Sequence, residues 1–365
     1  MSLNNNLNNS QTSWKASLVA VSHPRVIAML FLGISAGIPL LLIFSSLSLW
    51  LREAGVSRSA VTYFSWAALG YSFKFVWAPL VNHLSIPGLT RLLGQRRGWL
   101  LLSQLLIMLA IILMALIDPA TDQLTAMAMA AVLLGFSAAT QDIVIDAFRI
   151  ESADEKFQAL MSSGYIAGYR IGMLVAGAGA LYLASLFGST SEQYSYAAWQ
   201  STYLLMAAAM LVGVITTLCI SEPDIESRGG SMPDTSHSLR FFVLFITAVL
   251  GFIACYVASS EITQVAKVYL SEILLNQILA STLVEIFRLG LATYVAFLIA
   301  NLLIKIGVVD KSQIHKAYIE PIRDFFDRYG LALAWALLAL IGLYRVSDIV
   351  PVSYTHLTLP TIYSV

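Results

Sequence analysis

The chain repeats apolar stretches of about 20 residues, and a short polar connection separates each stretch from the next. A helix of that length crosses the ~30 Å hydrocarbon core of a bilayer. Before a ninth stretch begins at Leu331, the sequence contains these candidate spans: 26–51, 60–80, 98–117, 126–147, 160–187, 199–220, 241–259 and 283–307. We therefore predict an all-α fold, a polytopic membrane helix bundle.

The composition excludes most soluble classes of protein. Hydrophobic residues make up 58% of the chain and charged residues 12%, whereas soluble domains carry about 25% charged residues. The formal net charge is zero, which gives no basis for a nucleic-acid partner. The histidines and cysteines lack metal-ligand spacing, so we predict no metal and no cofactor, and the lipid bilayer is the expected surrounding.

Basic residues in the connections predict the orientation. The amino-terminal tail and the even-numbered connections carry nine of them, and the odd-numbered connections among the first six helices carry two. The first group is Lys15, Arg25, Arg91, Arg96, Arg97, Arg149, Lys156, Arg228 and Arg240, and the second is Arg52 and Arg58. We predict a multi-pass protein of the bacterial inner membrane with a cytoplasmic amino terminus.

Charged residues interrupt the fourth and fifth apolar stretches. Asp142 and Asp146 are four residues apart and Arg149 follows three later, so all three share one helix face. They lie at the carboxyl end of their helix, where the macrodipole disfavours carboxylates. Arg170, about 15 Å inside the next helix by helical rise, is the cation expected to meet Asp142 at similar depth. Charges at such depth mark gates or sites for anionic solutes; the structural alternative is an ion pair that locks the two helices together.

Two further features have both structural and functional interpretations. Lys74 lies near the cytoplasmic end of the second stretch and either snorkels to the headgroups or contacts substrate. Small residues recur every four positions at Gly33 and Gly37 in helix one and at Gly164, Gly168 and Gly172 in helix five, a spacing typical of close helix packing in lipid. Pro39 is expected to kink helix one.

Several strings resemble the AmpG muropeptide permeases, a branch of the major facilitator superfamily. They occur in order along the chain: Phe73-Lys74-Phe75-Val-Trp77-Ala-Pro79, Gln95-Arg-Arg-Gly-Trp99, Ser137-Ala-Ala-Thr-Gln141-Asp142-Ile-Val-Ile-Asp146-Ala, Gly168-Tyr169-Arg170-Ile-Gly172-Met173, Pro321-Ile-Arg-Asp324-Phe-Phe326 and Tyr344-Arg-Val-Ser-Asp348. The fold that this resemblance implies is the amino-terminal half of a major facilitator transporter, whose site lies between two six-helix halves.

The resemblance also implies a function, which is proton-driven import of anhydro-muropeptides from periplasm to cytoplasm for peptidoglycan recycling. Arg170 or Lys74 would then pair with the carboxylates of the glycopeptide, and Asp142 or Asp146 would bind the coupling proton. Gln141 and Tyr169 lie in the same strings and complete the translocation candidates. The candidate gating residues are Arg96, Arg97 and Arg149.

The sequence departs from the family pattern in three places. Asn82-His83 stands where the family commonly has an aspartate–arginine pair, residues 236–316 form an insertion with two extra helices, and the resemblance stops after Val350. In the insertion, Glu285 and Arg288 are expected to neutralise each other. We read the chain as a fragment that would not transport alone, divided into a disordered cytoplasmic tail (1–25), a six-helix amino-terminal half (26–222), a cytoplasmic linker with two inserted transmembrane helices (223–330), the start of helix seven (331–350) and a non-native tail (351–365).

Three alternatives stay open at this point. A related transporter of another anionic solute, such as an acetyl-coenzyme A-like ester, would share these features. A membrane-embedded transferase or hydrolase would need a nucleophile, base or metal cluster, which the sequence does not offer, so we predict no enzyme activity. A purely structural or regulatory membrane subunit would tolerate apolar replacements of Asp142, Asp146 and Arg170 together. The oligomeric state is left undetermined.

Overall fold

The computed structural model describes residues 21–57, 64, 71, 74–121, 123–153, 155–190, 192–223, 235–307, 309, 315 and 319–358. All regular structure within these residues is helical, which confirms the predicted all-α class. Six of the described helices are long and apolar enough to cross a membrane, and a bent pair adds a seventh candidate. The protein is a multi-pass membrane protein.

The helices group into two compact units. The first unit contains most of α1 to α6, which are Pro24–Glu53, Lys74–His83, Gln95–Ala115, Leu124–Ser152, Phe157–Leu186 and Tyr196–Cys219. The five long helices match the predicted spans to within a few residues at most ends, because a run of apolar residues is a local signal. Most of the predicted second span, 60–80, lies outside the described residues, as do residues 1–20 of the predicted tail.

Helices α1 and α5 each contain a one-turn π segment. The segments are Leu42–Ser46, three residues after Pro39, and Val175–Gly179. A π turn shifts the hydrogen-bond ladder and leaves carbonyl groups in need of donors. The Ser46 hydroxyl donates to the Ala176 carbonyl at 2.6 Å, so the first π turn supplies a donor to a carbonyl of the second within the apolar bundle.

An aromatic cluster packs the far end of α1 against α6. The indole rings of Trp50 and Trp199 stack with centroids 5.7 Å apart and an interplanar angle of 4°. The Trp199 indole donates to the Glu53 carboxylate at 2.7 Å, and the Tyr203 hydroxyl donates to the Leu42 carbonyl at 3.1 Å. Each buried polar atom of these rings therefore has a partner, as burial in a low-dielectric interior requires.

The second unit contains α7 to α9 and most of α10, which are Thr235–Ala258, Ser260–Leu274, Gln277–Lys305 and Glu320–Thr358. Sequence reasoning did not predict α8, because its charges and its 15 residues do not give a span signal. Gly330 has a φ of 69° and breaks α10 one residue before the predicted start of helix seven. Residues 359–365 lie outside the described part of the chain, and the domain division given above stays a prediction.

A charged cluster joins α7, α8 and α9 at the 50° bend between the first two. The Glu285 carboxylate lies 3.4 Å from the Arg288 guanidinium, which confirms the predicted pair, and 2.6 Å from the Lys267 ammonium. Arg288 also donates to the Tyr256 carbonyl at 2.6 Å. The helix break after Ala258 frees carbonyls from their intrahelical donors, so we infer that Arg288 stabilises the bent end of α7.

Candidate functional site

The contact between α1 and α5 fixes which face of α5 points into the first unit. A Cβ atom at Gly168 would lie 1.9 Å from the Leu30 carbonyl oxygen, and one at Gly37 would lie 2.2 Å from the Tyr169 carbonyl oxygen. A Cβ atom at Gly33 or Gly172 would lie about as close to a backbone oxygen. One at Gly164 would have more room, with 3.1 Å to the nearest atom. The two backbones touch, and only glycine fits between them.

Tyrosine side chains surround Asp142 in the first unit. The Tyr165 hydroxyl on α5 donates to the Asp142 carboxylate on α4 at 3.2 Å, and the Tyr169 ring lies one turn further, 5.9 Å from the Tyr165 ring. The Tyr71 hydroxyl is buried near Asp142 and Tyr169, and it has no hydrogen-bond partner within the described part of the chain. We call Tyr71, Asp142, Tyr165 and Tyr169 the tyrosine–aspartate cluster. By helical rise it lies about 15 Å from the end of α4.

The predicted meeting of Asp142 with Arg170 is wrong. Arg170 is exposed, and its guanidinium lies 3.8 Å from the Met173 sulfur on its own helix. Arg170 follows Tyr165 by five residues, which is a rotation of about 140° at 3.6 residues per turn. Since Tyr165 faces Asp142, Arg170 points away from it. The Asp142 carboxylate accepts a hydrogen bond from a phenol, and the Arg170 guanidinium is exposed on the surface of the unit.

Gln141 is a structural hydrogen-bonding residue in this conformation, although the sequence made it a translocation candidate. Its side chain is 0% exposed, and its amide donates to the Ser35 hydroxyl on α1 at 2.7 Å. A fully buried amide cannot contact a solute. In this position the Gln141 side chain holds α4 against α1. Lys74 is half-buried on α2.

The carboxyl-terminal turns of α4 carry the second predicted carboxylate. Asp146 and Arg149 form an ion pair at 3.2 Å, as their spacing of three residues predicted. Arg149 also donates to the Ser162 hydroxyl on α5. The cation therefore compensates the carboxylate at the negative end of the helix and connects α4 to α5.

Arg96 and Arg97 connect the ends of three helices. The Arg96 guanidinium donates to the Glu151 carboxylate at 2.7 Å, and Arg97 donates to the Thr217 carbonyl at 3.1 Å and to the Leu218 carbonyl at 2.9 Å. These contacts join the start of α3 to the ends of α4 and α6. A transporter gate would have to break these contacts when it opens. A permanent structural link between the three helices would use the same contacts.

Glu222 caps the amino terminus of α3 from beyond the end of α6. Its carboxylate accepts the backbone N–H groups of Arg96 at 2.7 Å and Arg97 at 3.0 Å. Burial raises the pKa of the Glu222 carboxyl, and these two hydrogen bonds oppose that rise. Gly94, with a φ of 94°, leaves the space, because a Cβ there would lie 2.4 Å from the Glu222 side chain.

Sequence reasoning missed Tyr71, Tyr165, Glu151 and Glu222. Tyr165 lies four residues before Tyr169, a spacing that places both on one helix face and that marks it as a neighbour of the predicted site. The contact of Glu222 with α3 has no local signal. Within the described residues, no group of three or more histidine, cysteine, aspartate or glutamate side chains is placed to hold a metal ion.

Comparison with known proteins relates this chain to a class of transporter. A putative transporter AmpG 4 of Rickettsia felis is 39% identical over 201 residues, which cover 55% of this chain and 46% of that protein. The chain resembles AmpG-type permeases. The anhydromuropeptide permease of Escherichia coli is 36% identical over 200 residues, covering 55% of this chain and 38% of the relative. The putative transporter AmpG 3 of Rickettsia typhi is 31% identical over 228 residues, which cover 62% of this chain and 52% of that protein.

The chain spans about half the length of these AmpG relatives. No protein-family model matches it. The names of the relatives are those of transporters and permeases, and none of the names describes an enzyme.

Proposed function

We propose that this chain forms part of a secondary active transporter that imports anhydro-muropeptides from periplasm to cytoplasm with protons. The observation that carries the proposal is the tyrosine–aspartate cluster, in which a carboxylate inside the candidate span Leu124–Ser152 accepts a hydrogen bond from a phenol. A carboxylate within a membrane span is costly and is retained at ion and proton pathways. The similarity to AmpG-type permeases supports the same class of protein.

Asp142 is the proposed proton acceptor. Protonation removes its charge, and the Tyr165 hydroxyl supplies a hydrogen bond to the charged form. The Tyr71 hydroxyl, which has no hydrogen-bond partner among the described residues, is buried near Asp142 and is a second candidate donor. Asp146 is a weaker candidate because Arg149 already neutralises it.

Arg170 is the proposed contact for the substrate. Muropeptides carry peptide carboxylates, and a guanidinium binds a carboxylate through two parallel hydrogen bonds. Arg170 is exposed on α5, and among the described residues no carboxylate forms an ion pair with it. Lys74, half-buried on α2, is the second candidate. In this proposal the basic helix ends that include Arg96 and Arg97 face the cytoplasm, and the bundle resides in the bacterial inner membrane.

A chimaera tests the proposal, because the chain spans only part of its relatives. Residues 26–222 replace the matching segment of the Escherichia coli permease, and cells lacking their own permease are supplied with labelled anhydro-muropeptide. We expect uptake that a protonophore abolishes. Asp142→Asn keeps the shape but cannot take up the proton, so we expect the proton-driven uptake to be lost.

Arg170→Lys and Arg170→Ala separate binding from coupling. We expect both to raise the substrate concentration needed for half-maximal uptake, since lysine cannot form the bidentate contact, while sensitivity to the protonophore persists. The amount of each variant in the membrane fraction, measured by immunoblotting, controls for expression. Full uptake by Asp142→Asn in a chimaera with normal membrane levels would remove the carboxylate from the mechanism.

A further inference from the structure

A cavity of about 620 Å³ lies between the ends of α1, α4 and α6 in the first unit. Its apolar wall includes Ile27, Phe31, Phe148, Val212 and Ile215. The cavity runs from Pro24, where α1 begins, to Phe31, which is about 10 Å along the helix. It therefore extends from the helix ends into the apolar span.

The outer wall of the cavity belongs to the exposed apolar surface of the bundle. Ile27 is 42% exposed, Phe31 39% and Ile215 60%. Exposed apolar side chains on a candidate membrane span are compatible with contact with acyl chains. An occupant that enters from the side must be largely apolar.

The mouth of the cavity carries opposite charges. Arg25 and Glu222 line it together with Ser152 and Ser221. Arg25 donates to the Ser152 carbonyl and retains further N–H groups, since a guanidinium has five. Each Glu222 oxygen accepts one backbone N–H, and a carboxylate has about four acceptor positions. The mouth of the cavity therefore offers two binding groups. The Arg25 guanidinium can bind a phosphate, and the Glu222 carboxylate can accept another hydrogen bond.

We infer that this cavity binds a phospholipid with a zwitterionic, hydrogen-bond-donating headgroup, namely phosphatidylethanolamine. The phosphate would contact Arg25, the primary ammonium would contact Glu222, and the start of an acyl chain would lie against Phe31 and Ile215. An anionic headgroup satisfies Arg25 but places negative charge beside Glu222. A choline headgroup has a cation without N–H donors.

Native mass spectrometry of the purified chain in detergent tests this inference with defined lipids. Dipalmitoyl phosphatidylethanolamine, phosphatidylcholine and phosphatidylglycerol are titrated separately, and an apparent Kd is measured for each. We expect the ethanolamine lipid to bind at least about fivefold more tightly than the other two. A charge-assisted hydrogen bond is worth about 1.5–3 kcal/mol, so Arg25→Gln should weaken its binding about tenfold or more.

Three further variants complete the test. Glu222→Gln should remove the preference for ethanolamine over glycerol while keeping the phosphate contact. Ile215→Trp fills the cavity without changing charge or the Glu222 cap and should expel every lipid, which keeps the test valid if Glu222→Gln does not fold. Arg52→Gln, at the opposite end of α1, should leave all three affinities unchanged.

Equal affinity for the three lipids would overturn the inference, and so would tighter binding of the glycerol lipid, which would indicate a purely anionic site. Retention of the ethanolamine lipid by both Arg25→Gln and Ile215→Trp would place it elsewhere on the bundle. None of these results depends on muropeptide import, so the two proposals fail independently.

Discussion

Gly168→Ala is expected to destabilise the first unit by about 2 kcal/mol or more. The new Cβ atom would lie 1.9 Å from the Leu30 carbonyl oxygen, well inside van der Waals contact, and the obstacle is backbone in the middle of a helix. Neither helix can retreat without losing the other contacts of the α1–α5 interface. At about 2–4 °C per kcal/mol for a unit of this size, we expect the melting temperature in detergent to fall by at least about 4 °C.

Two alanine substitutions on the same helix provide the matched controls. A Cβ at Gly179 would lie 3.6 Å from its nearest neighbour, and a Cβ at Gly164 would lie 3.1 Å from the Val26 carbonyl oxygen. Alanine is favoured over glycine inside a helix by up to about 1 kcal/mol, so Gly179→Ala should be slightly stabilising and Gly164→Ala close to neutral.

The order of the three variants is the critical result. Fluorescence-detected size-exclusion chromatography after heating gives their melting temperatures. If Gly168→Ala and Gly179→Ala have the same melting temperature, the backbones of α1 and α5 are further apart than the structure places them. In that case the glycine contact does not determine the rotation of α5.

Replacing Arg96 with leucine should cost about 3 kcal/mol. The Arg96 side chain is 7% exposed and its partner Glu151 is 25% exposed. Removing one member of a buried ion pair typically costs about 3–5 kcal/mol because the other charge loses its compensation. The lower end of that range applies here, since water still reaches part of the Glu151 carboxylate. The loss of stability is measured as a fall in melting temperature, with the same heating assay as for the glycine variants.

Arg328→Leu is the control for this prediction. Arg328 pairs with Asp324 at 2.8 Å, but their side chains are 67% and 66% exposed. Exposed pairs contribute about 0–1 kcal/mol, so its melting temperature should hardly change.

The double variant Arg96→Met with Glu151→Leu separates burial from pairing. It leaves no unpaired charge, and replacing a buried pair by apolar side chains is often neutral. We expect it to recover most of the stability that Arg96→Leu loses. If the double variant is no more stable than Arg96→Leu, the cost comes from packing and the ion pair is not its cause.

The amino-acid sequence alone determined the features that depend on neighbours along the chain. A run of about 20 apolar residues identifies a span whatever surrounds it, which is why the long helices agree with their predicted bounds. Spacings of three residues placed Asp146 beside Arg149 and Glu285 beside Arg288. Local helix geometry is sufficient for such pairs.

Only the tertiary structure decided how each helix is rotated about its axis. Glycine contacts with α1 set the rotation of α5, so Tyr165 meets Asp142 while Arg170 faces outward. The position of α4 buries Gln141 against Ser35. Helical periodicity states which residues share a face but not what that face contacts, because the contact depends on packing between segments far apart in the chain.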